Sequence, residues 1–385
     1  VPAPGATPTP GAATTPDAVP APGDLLAPVG PAVEDVAARL LAASLGAQEI
    51  AAVHAGDHLG WYRALARDGA STARALAERT ATHPRYVREW LEHQAAAGYL
   101  VEQSETDGQA EPRYALTAGA AEVLADPDAL TYLAPLGRLH AASGRVVDEL
   151  HAVYRTGGGV SWARLGDDAR QAQAAINRPF FLRGLADLIA QQVPDLHARL
   201  LAGARVVDVG CGEGWSAIGL AQAYPRVAVV GVDLDAPSVS AARTHAAEAG
   251  LSGRVRFVGA DVADPDVLAA GPFDVATAFE CVHDMADPVA VLTAVRALAP
   301  TGWVLVADER VEADRVAPAG PLERWFYGFS LGVCLPDGLS RPGGVGTGTV
   351  MRPATLDRYA RAAGFAGVEV LDVEHDLFRF YRLHP

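Results

Sequence analysis

Lysine is absent from this chain: all 31 cationic side chains among its 385 residues are arginine. No Schiff-base amine, phosphate-loop lysine or kinase-type lysine is therefore available to it. Cysteine is nearly as scarce, with Cys211, Cys281 and Cys334 far apart and no C-x-x-C pair. An odd, dispersed set of this kind gives neither a disulfide framework nor zinc-ligand spacing, and it fits a reducing compartment. No run approaches about 18 uninterrupted apolar residues, the length a membrane span needs. No basic segment followed by an apolar one opens the sequence, so a soluble, cytoplasmic chain with no membrane partner is expected. Positive charge is short overall, giving a net charge of −15. Such a chain is repelled by phosphate backbones and anionic surfaces unless it builds a local basic patch.

Half the residues are apolar and a fifth are charged, a globular composition with material for two ordinary domains. Residues 1–31 hold nine prolines among alanine, threonine and glycine, which predicts a disordered tail. Over 32–124 the apolar spacing is helical. Ser71 or Thr72 can cap a short helix, Thr82-His83-Pro84 makes a turn, and Val87, Trp90, Leu91 and Ala95 line a second helix. Two extended pieces, 99–102 and 113–116, then flank a polar loop, and the whole reads as a winged helix. Its second helix carries Glu89 and Glu92 beside Arg85 and Arg88, and the wing carries Glu102, Glu105, Asp107 and Glu111. That acidity removes the phosphate attraction a DNA reader needs, so dimerisation is expected there, with no nucleic-acid partner. Residues 125–200 read as a helical connector and pocket wall.

From residue 201 strands and helices alternate, as a parallel sheet covered on both faces requires. An insertion at 310–351, rich in glycine, reads as a cap. The last two strands, so close in sequence, are expected to be antiparallel to each other. The fold class expected is α/β: a Rossmann-like, doubly wound, mostly parallel seven-stranded sheet with an antiparallel closing strand, preceded by the helical winged-helix domain.

The strongest signal is Asp208-Val209-Gly210-Cys211-Gly212-Glu213-Gly214, a strand that delivers a glycine turn and then a helix start. Trp215 stands where a dinucleotide fingerprint has its third glycine, and Asp208 precedes the turn. Both argue for a ligand carrying a cation rather than a pyrophosphate. Asp233 ends the next strand, placed to accept two ribose hydroxyls, and Asp261 ends the third, placed for an adenine amino group.

With these motifs the segment 204–309 resembles the cofactor half of the class I S-adenosylmethionine-dependent methyltransferases. The chain from about 33 onward resembles the two-domain small-molecule O-methyltransferases. The resemblance implies S-adenosylmethionine as cofactor, held by Asp208, Gly210, Cys211, Gly212, Gly214, Asp233, Leu234, Asp261, Val262 and Glu280. It implies a homodimer and a small-molecule acceptor. It also puts the general base on His283, in Glu280-Cys281-Val282-His283-Asp284, and the acid that orients it on Asp308, with Glu309 as the fallback. The chemistry suits an imidazole, because a phenol or alcohol is a poor nucleophile at neutral pH until its proton is taken. Phe180, Trp325, Phe326 and Phe329 are candidates for an apolar acceptor pocket. His375-Asp376 repeats the His-Asp pair in the closing hairpin, where such residues are common in turns, and no metal is expected. Rival readings are N- or C-methylation on the same scaffold and a cofactor-sensing winged-helix transcriptional regulator.

Overall fold

The computed structural model describes residues 31–103 and 111–385. The tail expected over 1–31, apart from Pro31, lies outside the described residues, as does the wing tip with Glu105 and Asp107. The contacts divide the chain between Gln48 and Glu49, within the first helix, α1 (Val33–His58).

The described part of the first unit is the leading half of α1. Val33, Val36, Leu40, Leu41 and Leu45 are each more than half exposed there. By length and composition alone α1 could cross a membrane, although only 6% of the apolar window is buried. The sequence pattern hides this because Glu34, Asp35 and Arg39 interrupt the run. Its trailing half belongs to the second unit, where Ile50 and Val53 pack into a helical core.

That core is the winged helix. Helices α2 (Trp61–Asp68), α3 (Ala73–Thr80) and α4 (Pro84–Ala96) precede the antiparallel hairpin β1 (Leu100–Gln103) and β2 (Arg113–Leu116), and α5 (Ala118–Ala125) follows. Thr72 caps α3 by accepting the Ala75 N–H at 3.2 Å, and His83 caps α4 by accepting the Arg85 N–H at 3.2 Å. Tyr62, Leu76, Val87 and Leu91 are fully buried between these helices. Burial of each such side chain stabilises by roughly 1.5–3 kcal/mol.

Helices α6 (Leu136–Arg145), α7 (Val147–Thr156), α8 (Trp162–Pro179), α9 (Leu185–Gln192) and α10 (Pro194–Ala202) connect to the sheet, with a π turn at Phe180–Gly184 between α8 and α9. The sheet strands are β3 (Arg205–Val209), β4 (Ala228–Asp233), β5 (Val255–Gly259), β6 (Val275–Phe279), β7 (Trp303–Glu309), β8 (Gly367–Val370) and β9 (Phe378–His384). Between them run α11 (Trp215–Ala223), α12 (Ala236–Glu248), α13 (Pro265–Leu268), α14 (Pro288–Leu298), α15 (Pro321–Phe329), α16 (Leu335–Gly338) and α17 (Pro353–Ala362).

The sheet has seven strands in the order β5-β4-β3-β6-β7-β9-β8, and only β9 runs against its neighbours. This is the α/β class expected from the sequence. Every residue of β6 and β7 is buried, which explains their continuous apolar runs. Strand order reverses between β3 and β6, so the loops leaving these two strands part and open a crevice at their carboxyl ends.

Candidate active site

The glycine turn after β3 forms one wall of that crevice. Gly210 has φ +68°, and a Cβ there would lie 2.7 Å from the sulfur of Cys281. Gly214 has φ +85°, and a Cβ there would lie 2.4 Å from the ring of Phe257. Both positions therefore demand glycine, the first for a close backbone approach and the second for seating α11 on the sheet.

Asp208 lies beneath the turn rather than in the crevice. Its carboxylate accepts from Ser216 Oγ at 2.5 Å and Thr277 Oγ1 at 2.6 Å, tying the start of α11 to β6. Burial pushes this carboxyl up to about 6, against those two hydrogen bonds. Asp233, at the end of β4, accepts the N–H groups of Gly212 and Asp235, each at 2.8 Å. Its pKa is raised by burial. The next acid, Asp235, caps α12 through the Ser238 N–H at 3.0 Å. It also takes a two-pronged ion pair from Arg170 of α8, at 2.7 and 2.9 Å.

At the end of β6, Glu280 adopts φ +48°, a left-handed backbone that costs a non-glycine residue on the order of 1–3 kcal/mol. The Asn177 amide donates to its carboxylate. Burial pushes Glu280 up to about 7. Three residues on, a short 3-10 turn at Val282–Asp284 presents His283, which is 2% exposed.

His283 Nδ1 lies 2.7 Å from Asp308 Oδ1 and 3.0 Å from Glu309 Oε2, both at the end of β7. On the other side, Nε2 lies 3.3 Å from Asp284 Oδ1. Burial disfavours the imidazolium, but Asp284, Asp308 and Glu309 outweigh it and hold His283 well above the ordinary histidine value. Burial would also raise Asp308, yet His283 and the Glu309 side chain and N–H keep it below its usual value. Glu309 goes the other way, raised by burial and by the charge on Asp308.

These elements open into a cavity of about 880 Å³. Of the sequence candidates, Gly210, Gly212, Asp233, Leu234, Asp261, Val262, Glu280 and His283 line it, together with Trp325, Phe326 and Phe329. Asp208, Cys211, Gly214 and Asp308 stand behind the lining. Phe180 does not reach the cavity: the π turn directs its ring onto His375 and Phe378, with centroids 4.8 and 5.7 Å away. His375 accepts the N–H groups of Leu377 and Phe378 at 3.2 and 3.0 Å, a turn-capping role.

The cap insertion is more regular than its glycines suggest, consisting of α15, a π turn at Ser330–Cys334 and α16. Its glycine loop bonds to the segment bearing the histidine, through Gly348 N–H to the His283 carbonyl at 3.1 Å and Val345 N–H to the Ala286 carbonyl at 2.9 Å. Arg352 pins the far end, donating to Glu323 at 2.6 Å and to the Glu312 carbonyl at 2.6 Å. Sequence reasoning missed Trp162, Ile176, Asn177 and Cys334 in the lining. The signal for Asn177 was its place on the helix wall expected to face the pocket, whereas Cys334 carried none.

Comparison with known proteins bears on this site. Residues 200–323 match the family described as "Methyltransferase domain". The ubiquinone biosynthesis O-methyltransferase of Thiobacillus denitrificans is 33% identical over 189 residues, 48% of this chain and 74% of that protein. Its namesake from Bordetella avium is 38% identical over 105 residues, 27% of this chain and 42% of that protein. Among solved structures, the mitomycin 7-O-methyltransferase superposes with a TM-score of 0.66 at 22% identity, covering 92% of this chain and 99% of that one. Human N-acetylserotonin methyltransferase, solved with its cofactor, gives 0.65 at 19% identity, with 92% and 99% covered.

Proposed function

Since the chain belongs to the class I S-adenosylmethionine-dependent methyltransferases, we propose that it methylates a hydroxyl of a small-molecule acceptor, with His283 as general base. The residues present fit the cofactor. Gly210 and Gly212 offer bare backbone to the cavity, and Asp233 and Asp261 reach it from the ends of β4 and β5. When bound, the cofactor supplies a methyl group on a sulfonium. Asp233 is placed to hold ribose hydroxyls, with Leu234 beside it, and Asp261 and Val262 to frame the adenine.

The observation that carries the hydroxyl reading is the His283–Asp308 contact of 2.7 Å at the mouth of the cofactor crevice. Asp308 fixes the Nδ1–H tautomer, leaving Nε2 on the cavity side to take the acceptor's proton. Trp325, Phe326, Phe329 and Met285 give the same cavity an apolar wall suited to a phenol. Residues 310–351 act as a cap that excludes water. The test is to identify the product: labelled methyl carbon, followed by NMR through turnover on a panel of phenols, amines and carbon acids, is expected on oxygen. Methyl found only on nitrogen or carbon overturns the reading.

Residues 32–124 are assigned to dimerisation, 125–200 to the pocket wall and 201–385 to catalysis. The homodimer is supported by the exposed stripe Val33, Val36, Leu40, Leu41 and Leu45. An apolar row of this length on one helix is costly to leave in water. The acid-rich winged helix supports no nucleic-acid role, and cytoplasmic residence follows from the reduced thiols the sequence implies. In sedimentation equilibrium the wild type is expected to be a dimer and the Leu40→Glu, Leu41→Glu double variant a monomer. A monomeric wild type sinks the assignment.

A further inference from the structure

The cavity side of His283 carries an arrangement that methyl transfer does not use. Cys334 ends the π turn of the cap and is 9% exposed. A ring nitrogen of His283, a carboxylate oxygen of Asp284 and the sulfur of Cys334 all lie within 4.8 Å of one another, and all three residues line the cavity. One imidazole nitrogen, one carboxylate oxygen and one thiol sulfur form a donor set that selects zinc over magnesium or calcium.

Two further observations point to a cation between them. Asp308 takes the Nδ1–H of His283 at 2.7 Å, so a neutral imidazole presents its lone pair at Nε2. A carboxylate behind the histidine is also the outer-shell partner that fixes the tautomer in zinc sites. The lone pair then faces Asp284 Oδ1 at 3.3 Å, an oxygen that is buried and receives no hydrogen bond among the described residues. Two acceptors so placed repel unless a proton or a metal ion lies between them. Zinc bond lengths of about 2.0–2.3 Å put tetrahedral ligands roughly 3.3–3.6 Å apart. The nitrogen and oxygen already stand at that spacing, and the sulfur lies within 4.8 Å of both residues' ligand atoms.

We propose that His283, Asp284 and Cys334 bind zinc, with the fourth position open to the cavity, and that the bound ion switches the enzyme off by occupying Nε2. Binding forms the Cys334 S–Zn bond and releases the thiol proton to solvent, so no oxidant or reductant is involved. The inhibition rests on the base role proposed for His283, whereas the binding does not.

The test uses the full chain, freed of metal with a chelator. Cobalt(II) serves as a spectroscopic stand-in for zinc, and zinc binding is followed by calorimetry. One equivalent of cobalt is expected to give a near-ultraviolet thiolate-to-metal band that zinc removes. Cys334→Ser is expected to lose that band and weaken zinc binding at least tenfold, the scale on which even outer-shell changes act. It should keep cofactor affinity within a few-fold, which shows that the variant is folded. Asp284→Asn is expected to weaken zinc while retaining the band. Absence of the band in the wild type, or equal zinc affinity in Cys334→Ser, overturns the site. Cys334-dependent zinc binding that leaves turnover intact overturns the switch and points to failure of the base assignment instead.

Discussion

Replacing His283 by alanine is expected to cut turnover by roughly two to four orders of magnitude, the usual contribution of a positioned general base. Cofactor affinity measured by calorimetry should stay within a few-fold of wild type. The separation follows from the site. The glycine turn, Asp233 and Asp261 lie at the ends of β3, β4 and β5, and the histidine follows β6 on the other side of the strand-order switch. Losing the imidazole removes the acceptor for the hydroxyl's proton but not the placement of acceptor against cofactor, which by itself carries much of a methyl transfer. His283→Gln tests the same point with a side chain that fills the space and can still hydrogen-bond, and it should be nearly as impaired. Assays need a chelator present, so that metal at the same nitrogen does not blur the comparison. Unchanged turnover in both variants would mean that no base is needed, and hence that the acceptor is already nucleophilic, as an amine or a carbanion is.

How far this site could be read from the sequence depended on whether a residue's partners were local. Gly210, Gly212, Asp233 and Asp261 were legible because a strand end followed by a turn fixes their position within a few residues. His283 and Asp308 were legible through the family resemblance, which put them at the ends of consecutive strands, and β6 and β7 do pair in parallel, with Phe279 opposite Ala307. Asp208 failed as a cavity residue because β-strand alternation, together with Ser216 and Thr277, turns its carboxylate under the loop. Nothing local could show that. Phe180 failed because a π turn adds a residue to the helical repeat and rotates its ring away from the pocket. Cys334 was invisible because its neighbours, His283 and Asp284, come from a different strand end. Cysteine spacing along the chain excluded a contiguous zinc motif but said nothing about one assembled from two segments. Among the folds of the chain, the parallel strands were plain from their continuous apolar runs, while the regularity of the cap was masked by loop glycines such as Gly346 and Gly348, which lie close against Ser330, Leu335 and Leu339.

Asp308→Asn is expected to lower turnover by roughly a hundred- to ten-thousandfold, through misplacement of the His283 proton rather than loss of a group that touches substrate. The upper figure is the scale seen when an orienting aspartate becomes asparagine in a catalytic triad. Glu309, 3.0 Å from the same nitrogen, is the reason a smaller loss is also within the range: it can take up the Nδ1–H when Asp308 cannot. The pH profile gives the reading that a merely structural role would not. In the wild type the base works as neutral imidazole, and three acids hold its pKa well above the ordinary value of 6.5. The rate should therefore rise with pH along a limb on the alkaline side of that value. Removing the Asp308 charge takes away one of the groups that favour the imidazolium, so the limb should move toward lower pH while the plateau falls. In a His283→Ala background, Asp308→Asn should cost almost nothing further, since groups that act as one unit are not additive. A limb that stays in place, or a full additional loss in the double variant, would show that Asp308 acts on the fold and not through the histidine.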